Sequence, residues 1–297
     1  MKANDAFNNI DLSGALLPAS YEPFADYLVK FIEAYRAQGI PIGAITPENE
    51  PNAPSVLPGM YLTPAQEAQL VAQNLAPSLA AAGLHPKIYG LDDTELPQAQ
   101  ALVASQARGA LAGIAWHCYQ GLGQMSALHQ TDAAAGEILN ECSPGMIAYS
   151  VSELAIDATD NWASVVALWN LARDPSGGPA QVGNGCPGCT RVVTISEQTH
   201  AATVGQNYYQ FGQISKHVQP GGVRIASTRL VHDYAYPNGV FRVSAGVDDV
   251  AFKNPDGQKV LITYNNSRSR QRFAVSWRGR QFAYTLQAGA TVTFTWR

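Results

Sequence analysis

Apolar residues at Tyr27, Leu28, Phe31, Ile32 and Tyr35 recur at helical spacing, and Gly39 closes the run. The spacing predicts a helix over 27–37. The apolar stretch 40–45 that follows is short and bounded, as a buried strand is. Thr63-Pro64-Ala65-Gln66 then opens a second helix, with Thr as N-cap, Pro at the first helical position and Gln three residues on. That helix runs to about residue 82 and stops at Gly83. Beyond it, helical patterns over 95–108, 126–134, 151–158 and 206–217 alternate with apolar strands at 87–91, 111–116, 137–140 and 163–169.

Such alternation means parallel strands joined by helical crossovers. A doubly wound sheet and a (β/α)8 barrel both fit it, but no GxGxxG or Walker sequence supports nucleotide binding. The polar clusters instead fall just after strands: Glu48-Asn49-Glu50, Asp92-Asp93, His117-Cys118-Tyr119 and Glu141. In a barrel every such strand end faces one mouth, where active sites sit. From about residue 222 the segments become short and often alternate, and Asn254-Pro255-Asp256-Gly257 and Arg278-Gly279 signal turns. The reading is therefore α/β: a partial (β/α)8 TIM barrel over 1–221, followed by a small antiparallel β-sandwich over 222–297. About five strands are found where eight close a barrel, so the fourth through eighth are expected, in an open sheet. Its edges should be 40–45 and 163–169, and Ile42, Ile114 and Trp169 should be more exposed than a closed barrel allows.

Composition narrows the classes. Hydrophobic residues make up 46% and charged residues 14% of the 297, which allows a large core and argues against disorder. The net charge of −4 and the absence of a long basic run argue against nucleic-acid binding. Arg268, Arg270, Arg272, Arg278 and Arg280 lie among predicted strands and read as a solvated face. No apolar run approaches the roughly 20 residues of a membrane span, and the polar start lacks a signal peptide's apolar region. Cys186-Pro187-Gly188-Cys189 has no second pair to make a zinc ribbon, and a local disulfide is the preferred reading. Cys118 and Cys142, at two strand ends, read as buried small hydrophobes.

Glu50 and Glu141 end predicted strands of one barrel. Two carboxyl groups flanking a bond are what glycoside hydrolysis requires, one as a neutral acid and one as an ionised nucleophile. Thr46-Pro47-Glu48-Asn49-Glu50-Pro51 resembles the acid/base strand of glycoside hydrolase family 30, which includes glucosylceramidases. Trp116-His117-Cys118-Tyr119 and Asn140-Glu141-Cys142-Ser143 are similar to its sixth strand and its nucleophile strand. Leu168-Trp169-Asn170 with Pro175-Ser176-Gly177-Gly178-Pro179 resembles its eighth strand and loop, and the segment 208–218 its last helix before the sandwich.

The resemblance implies a retaining β-glycosidase with Glu50 as acid/base and Glu141 as nucleophile. It implies Asn49 on the sugar 2-hydroxyl, Tyr119 against the nucleophile and Trp169 as a stacking platform. His117 is either a core histidine or part of the site. Asp92 either contributes to the site or belongs to an acidic helix start, and Glu48 supports the loop. No cofactor or metal is called for. The expected substrate is a glucosylceramide-type β-glucoside, with β-1,6-linked glucan or galactan as the alternative; a non-catalytic or sugar-binding polypeptide is the alternative of another class. The family's barrel starts well before this motif, whereas 45 residues precede Thr46. Met1 is therefore expected to be an internal residue of a longer, secreted protein.

Overall fold

The computed structural model describes residues 14–52, 59–147, 149–178, 188–228, 230, 233–235, 241–243 and 245–297. They fall into two units: residues up to His117 with Gly123–Asn140, and Cys118–Leu122 with Glu141–Arg297.

In the first unit β1 (Gly14–Ala15) is followed by α1 (Tyr21–Ala37), β2 (Ala44–Ile45), β3 (Met60–Tyr61) and α2 (Pro64–Leu70). Then come α3 (Ala76–Ala81), β4 (Lys87–Asp93), α4 (Leu96–Val103), β5 (Leu111–His117), α5 (Gly123–Thr131) and β6 (Gly136–Glu141). α1 starts earlier than expected because Pro23 sits in its first turn, where the missing N–H costs no intrahelical bond. The expected capping box is formed: Thr63 Oγ1 accepts from Gln66 N while Gln66 Oε1 accepts from Thr63 N. The helix it opens passes through a π turn, Val71–Leu75, just ahead of Pro77, which cannot supply an amide to the ladder.

Strands β2, β4, β5 and β6 form one sheet in that order, with parallel pairing of β2 to β4 and β4 to β5. This is a partial, half-barrel arrangement of α/β units. Tyr89, Ala115 and Ile138 cluster on one face of it. A Cβ on Gly113 would stand 1.7 Å from the Gly136 carbonyl oxygen, so only glycine allows the two backbones this approach. Ile42 is partly exposed, as expected, but Ile114 is fully buried. The two-residue alternation turns Ile114 away from Ala115, toward the helix-covered face, so an open sheet does not uncover it.

The first α-helix of the second unit is α6 (Val151–Asp160), capped by a Ser150–Glu153 box. β7 (Ala172–Arg173), β8 (Val193–Ile195) and β9 (Ala202–Val204) make a small sheet, and α7 (Gln206–Ser215) follows. The expected strand at 163–169 is reduced to a bridge at Val166. Its first amide, on Ala163, is spent closing α6 onto the Ala158 carbonyl. Trp169 lies beyond it, 42% exposed as expected.

The remaining strands are β10 (Val223–Ile225), β11 (Asp233–Ala235), β12 (Phe241–Val243), β13 (Val247–Lys253), β14 (Lys259–Asn265), β15 (Gln271–Trp277), β16 (Arg280–Leu286) and β17 (Thr291–Trp296). They form antiparallel sheets, the largest ordered β10-β13-β14-β17. One face of that sheet, with Val250, Phe252, Val260, Ile262 and Tyr264, packs on Ile156 of α6 and Ile214 of α7. The other face, with Ala251 and Leu261, meets Val275 and Phe273 of β15. Arg278 and Gly279 both have positive φ, 49° and 78°, the type I′ turn the sequence signalled. The five arginines near this hairpin are exposed.

Cys118 and Cys142 are not free. They form a disulfide with Cα atoms 5.3 Å apart, both residues buried. Their burial alone read as apolar filling; the strand ends bring them within bonding reach, which spacing in the sequence does not reveal. Cys189 is disulfide-bonded too, while Cys186, its expected partner, lies outside the described residues.

Candidate active site

In the first unit the segment after β2 turns sharply. Glu48 accepts the Met60 amide at 2.9 Å and so braces the loop. Glu50 has φ +48°, and its amide donates to the Asp92 carbonyl at 2.9 Å. That bond anchors the Glu50 backbone to the end of β4. Asn49, before it, is exposed.

His117, at the end of β5, is fully buried between two carboxyl groups. Nδ1 lies 3.0 Å from Glu50 Oε1 and Nε2 lies 3.0 Å from Asp92 Oδ1. Asp92 also accepts from Asn140 Nδ2 on its Oδ1 and from Thr46 Oγ1 on its Oδ2. The chain of contacts Thr46–Asp92–His117–Glu50 thus fixes the orientation of a Glu50 carboxyl whose side chain remains 29% exposed. His117 is thus bonded to the Glu50 side chain. Asp92 belongs to the same network.

Leu91 and Asp92 both have positive φ, 74° and 52°, at a break in the β4–β5 register. Such conformations are costly for non-glycine residues and persist only when neighbours impose them. Glu67 of α2 is one such neighbour: it is buried and accepts the Leu91 amide at 3.0 Å. Burial, with the charges of Asp92 and Asp93 added, pushes Glu67 up to about 7 against the opposing effect of that bond. Asp93, which bonds the Thr94 amide, is pushed up to about 6 by burial and by Glu95 nearby. Sequence reasoning did not mark Glu67, and it gave Thr46 a place in the motif but no role. A lone glutamate on a helix pattern carries no signal of which amide it will meet.

β6 carries Asn140, tied to Asp92, and ends at Glu141. In the second unit Tyr119 donates its hydroxyl to Glu141 Oε1 at 3.0 Å, as expected. The disulfide joins the residue before Tyr119 to the residue after Glu141. The Trp169 amide donates to the Cys142 carbonyl and the Asn170 amide to the Thr190 carbonyl, each at 2.7 Å. Arg173 donates to the Asn170 side chain and to the Gly177 carbonyl, bracing the loop that follows Trp169.

Comparison with known proteins agrees with this architecture. The glycosyl hydrolase family 30 TIM-barrel domain matches residues 2–218, and the family 30 beta sandwich domain matches residues 221–294. The chain is 33% identical to the endo-1,6-beta-D-glucanase neg1 of Aspergillus fumigatus over 249 residues, which is 82% of this chain and 49% of that protein. It is 26% identical to the lysosomal acid glucosylceramidase of Mus musculus, over 93% of this chain and 56% of that protein. The solved structure of the endo-beta1,6-glucanase BT3312 superposes with a TM-score of 0.80 at 30% identity, covering 95% of this chain and 64% of that one. The chain spans about half the length of the curated relatives it matches. It belongs to glycosyl hydrolase family 30.

Proposed function

From that membership, we propose that the protein carrying this chain is a retaining β-glycosidase that cleaves β-1,6-linked glucan. The observation that carries the substrate is the higher identity to endo-1,6-beta-D-glucanases, 33% and 32%, than to a lysosomal glucosylceramidase, 26%. The β-1,6-glucan alternative thereby displaces glucosylceramide as the first choice.

In this reading Glu141 attacks the anomeric carbon while Glu50 protonates the departing glycosidic oxygen. A covalent glycosyl–Glu141 ester forms as the bond to the leaving sugar breaks. Glu50, now a carboxylate, takes a proton from water, and that water displaces Glu141 with overall retention. The two carboxyls should stand about 5–5.5 Å apart for this. The Tyr119 bond to Glu141 Oε1 supports the nucleophile's role, because it orients that carboxylate. His117, held by Asp92, supports Glu50. Asn49 would bond the 2-hydroxyl, and exposed Trp169 would take the C–H face of a sugar. Metal and cofactor have no part in this mechanism. The Cys118–Cys142 disulfide supports an extracellular location.

The test is an assay on linear β-1,6-glucan, β-1,6-galactan and glucosylceramide, with the first-formed anomer followed by proton NMR. Release of the β-anomer from glucan is expected. Azide should rescue Glu50→Gln as a β-glycosyl azide and Glu141→Gly as an α-glycosyl azide. Release of the α-anomer from unmutated protein would overturn retention, and cleavage of glucosylceramide alone would overturn the substrate. No turnover by the protein with its upstream residues restored would favour a non-catalytic, sugar-binding role.

A further inference from the structure

We propose that the Cys118–Cys142 disulfide is a positioning element for the site: through its two flanking residues it holds Tyr119 against Glu141, and through the Cys142 backbone it holds Trp169. The inference rests on the glycosidase reading for the roles of these groups, but its geometry is independent of that reading.

Both half-cystines are buried, at 1% and 0% exposure, so the link is enclosed within the fold. Tyr119 lies in the short turn after β5, closed by the bond from Gly121 N to Cys118 O. A tyrosine in a turn is held less firmly than one in a ladder. The disulfide fixes the residue before Tyr119 at a Cα separation of 5.3 Å from the residue after Glu141. The 3.0 Å bond between the Tyr119 hydroxyl and Glu141 Oε1 therefore spans two backbones that are covalently tied one residue away on each side.

Cys142 has a second attachment. Its carbonyl accepts the Trp169 amide at 2.7 Å. The next residue, Ser143, accepts the Thr190 amide on its Oγ at 2.6 Å, and the Thr190 carbonyl takes the Asn170 amide. The Trp169–Asn170 backbone is thus gripped from the Cys142 side and from the Thr190 side. One residue fixes Tyr119 through its sulfur, Trp169 through its carbonyl and Glu141 through its peptide bond. Small errors in such positions are costly to catalysis, since the reacting groups must already be aligned.

Two variants test this: Cys118→Ala/Cys142→Ala, and Cys118→Val/Cys142→Ala, which refills the lost volume. They are compared with Tyr119→Phe and with Tyr119→Phe added to each. The protein with its upstream residues restored is used, with folding followed by circular dichroism. The first readout needs no activity. Carbon-13 at the phenol carbon of labelled tyrosine reports the Tyr119 resonance, assigned through its loss in Tyr119→Phe. That resonance should shift and broaden in both disulfide variants. The second readout is kinetic. Turnover should fall about tenfold with KM less affected, and the acid limb of kcat/KM should move to higher pH as Glu141 loses its donor. Tyr119→Phe should then add little. An unmoved Tyr119 resonance in a folded variant would overturn the proposal, as would a lowered melting temperature with unchanged pH profile. Failure of both variants to fold would assign the disulfide to stability and overturn it equally. Absence of activity in the unmutated protein would sink the glycosidase reading and leave the resonance to decide this one.

Discussion

Replacing Glu137 by glutamine should stabilise the protein, and increasingly so as pH rises. Glu137 lies in β6 at 2% exposure, with Trp116 Nε1 donating to Oε2 at 3.1 Å and His129 Nδ1 3.9 Å from Oε1. Burial pushes its carboxyl up from 4.5 to about 8, and the Trp116 bond only partly opposes this. The acid is thus neutral in the folded protein over a range where the unfolded chain has already released its proton. The folded state binds more protons there, so the contribution of this group to stability is greatest below about pH 4.5 and falls as pH rises toward 8. At about 1.4 kcal/mol per tenfold change in proton affinity, the loss by pH 7 is on the order of 3 kcal/mol. Glutamine mimics the protonated acid: it keeps an acceptor for Trp116 and does not titrate. The difference in unfolding free energy between Glu137→Gln and the unmutated protein should be near zero at pH 4.5 and reach roughly 3 kcal/mol at pH 7. That is a large share of the 5–15 kcal/mol typical of a folded protein. Urea titrations at half-unit pH steps from 4.5 to 8 would measure it. Parallel stability curves for the two proteins across that window would refute the reasoning.

Glu67→Ala should cost about 1–3 kcal/mol by leaving the buried Leu91 amide without this acceptor; Glu67→Gln should recover most of that, read from urea midpoints. Thr63→Ala removes a formed capping box and should lower stability by about 1 kcal/mol in the same measurement. Arg108 bonds Asp132 at both carboxylate oxygens and holds its carboxyl below the ordinary value of 3.8. Its contribution, up to about 1 kcal/mol for a partly exposed pair, should be present above that pH and vanish as pH falls through the lowered value. A double-mutant cycle with Arg108→Ala and Asp132→Asn, run at pH 6 and again at pH 2, would show a smaller coupling energy at the lower pH.

Much of this protein is legible in its sequence because the signals are local. A capping box depends on four residues, so Thr63 and Gln66 announced their helix. A type I′ turn depends on two, so Arg278-Gly279 announced its hairpin. Periods of 3.6 and 2 separated helices from strands, and polar residues at strand ends drew attention to Glu50, Asp92 and His117, which bond one another, and to Tyr119 and Glu141, which bond each other. What only the tertiary structure decided is which distant partner each group meets. The sequence gives no reason for Cys118 to choose Cys142, for Asp92 to take Thr46, His117 and Asn140, or for Glu67 to find the Leu91 amide. Those pairings depend on strand register and on a break in the β4–β5 ladder, which act over separations no local pattern encodes. The segment 163–169 misled for the same reason: its apolar run reads as a strand, yet a strand exists only where a neighbour accepts its amides, and α6 claims the first of them. Ile114 was misjudged because an apolar run buried on both faces hides which residue points to which side, a choice made by the sheet and not by the residue.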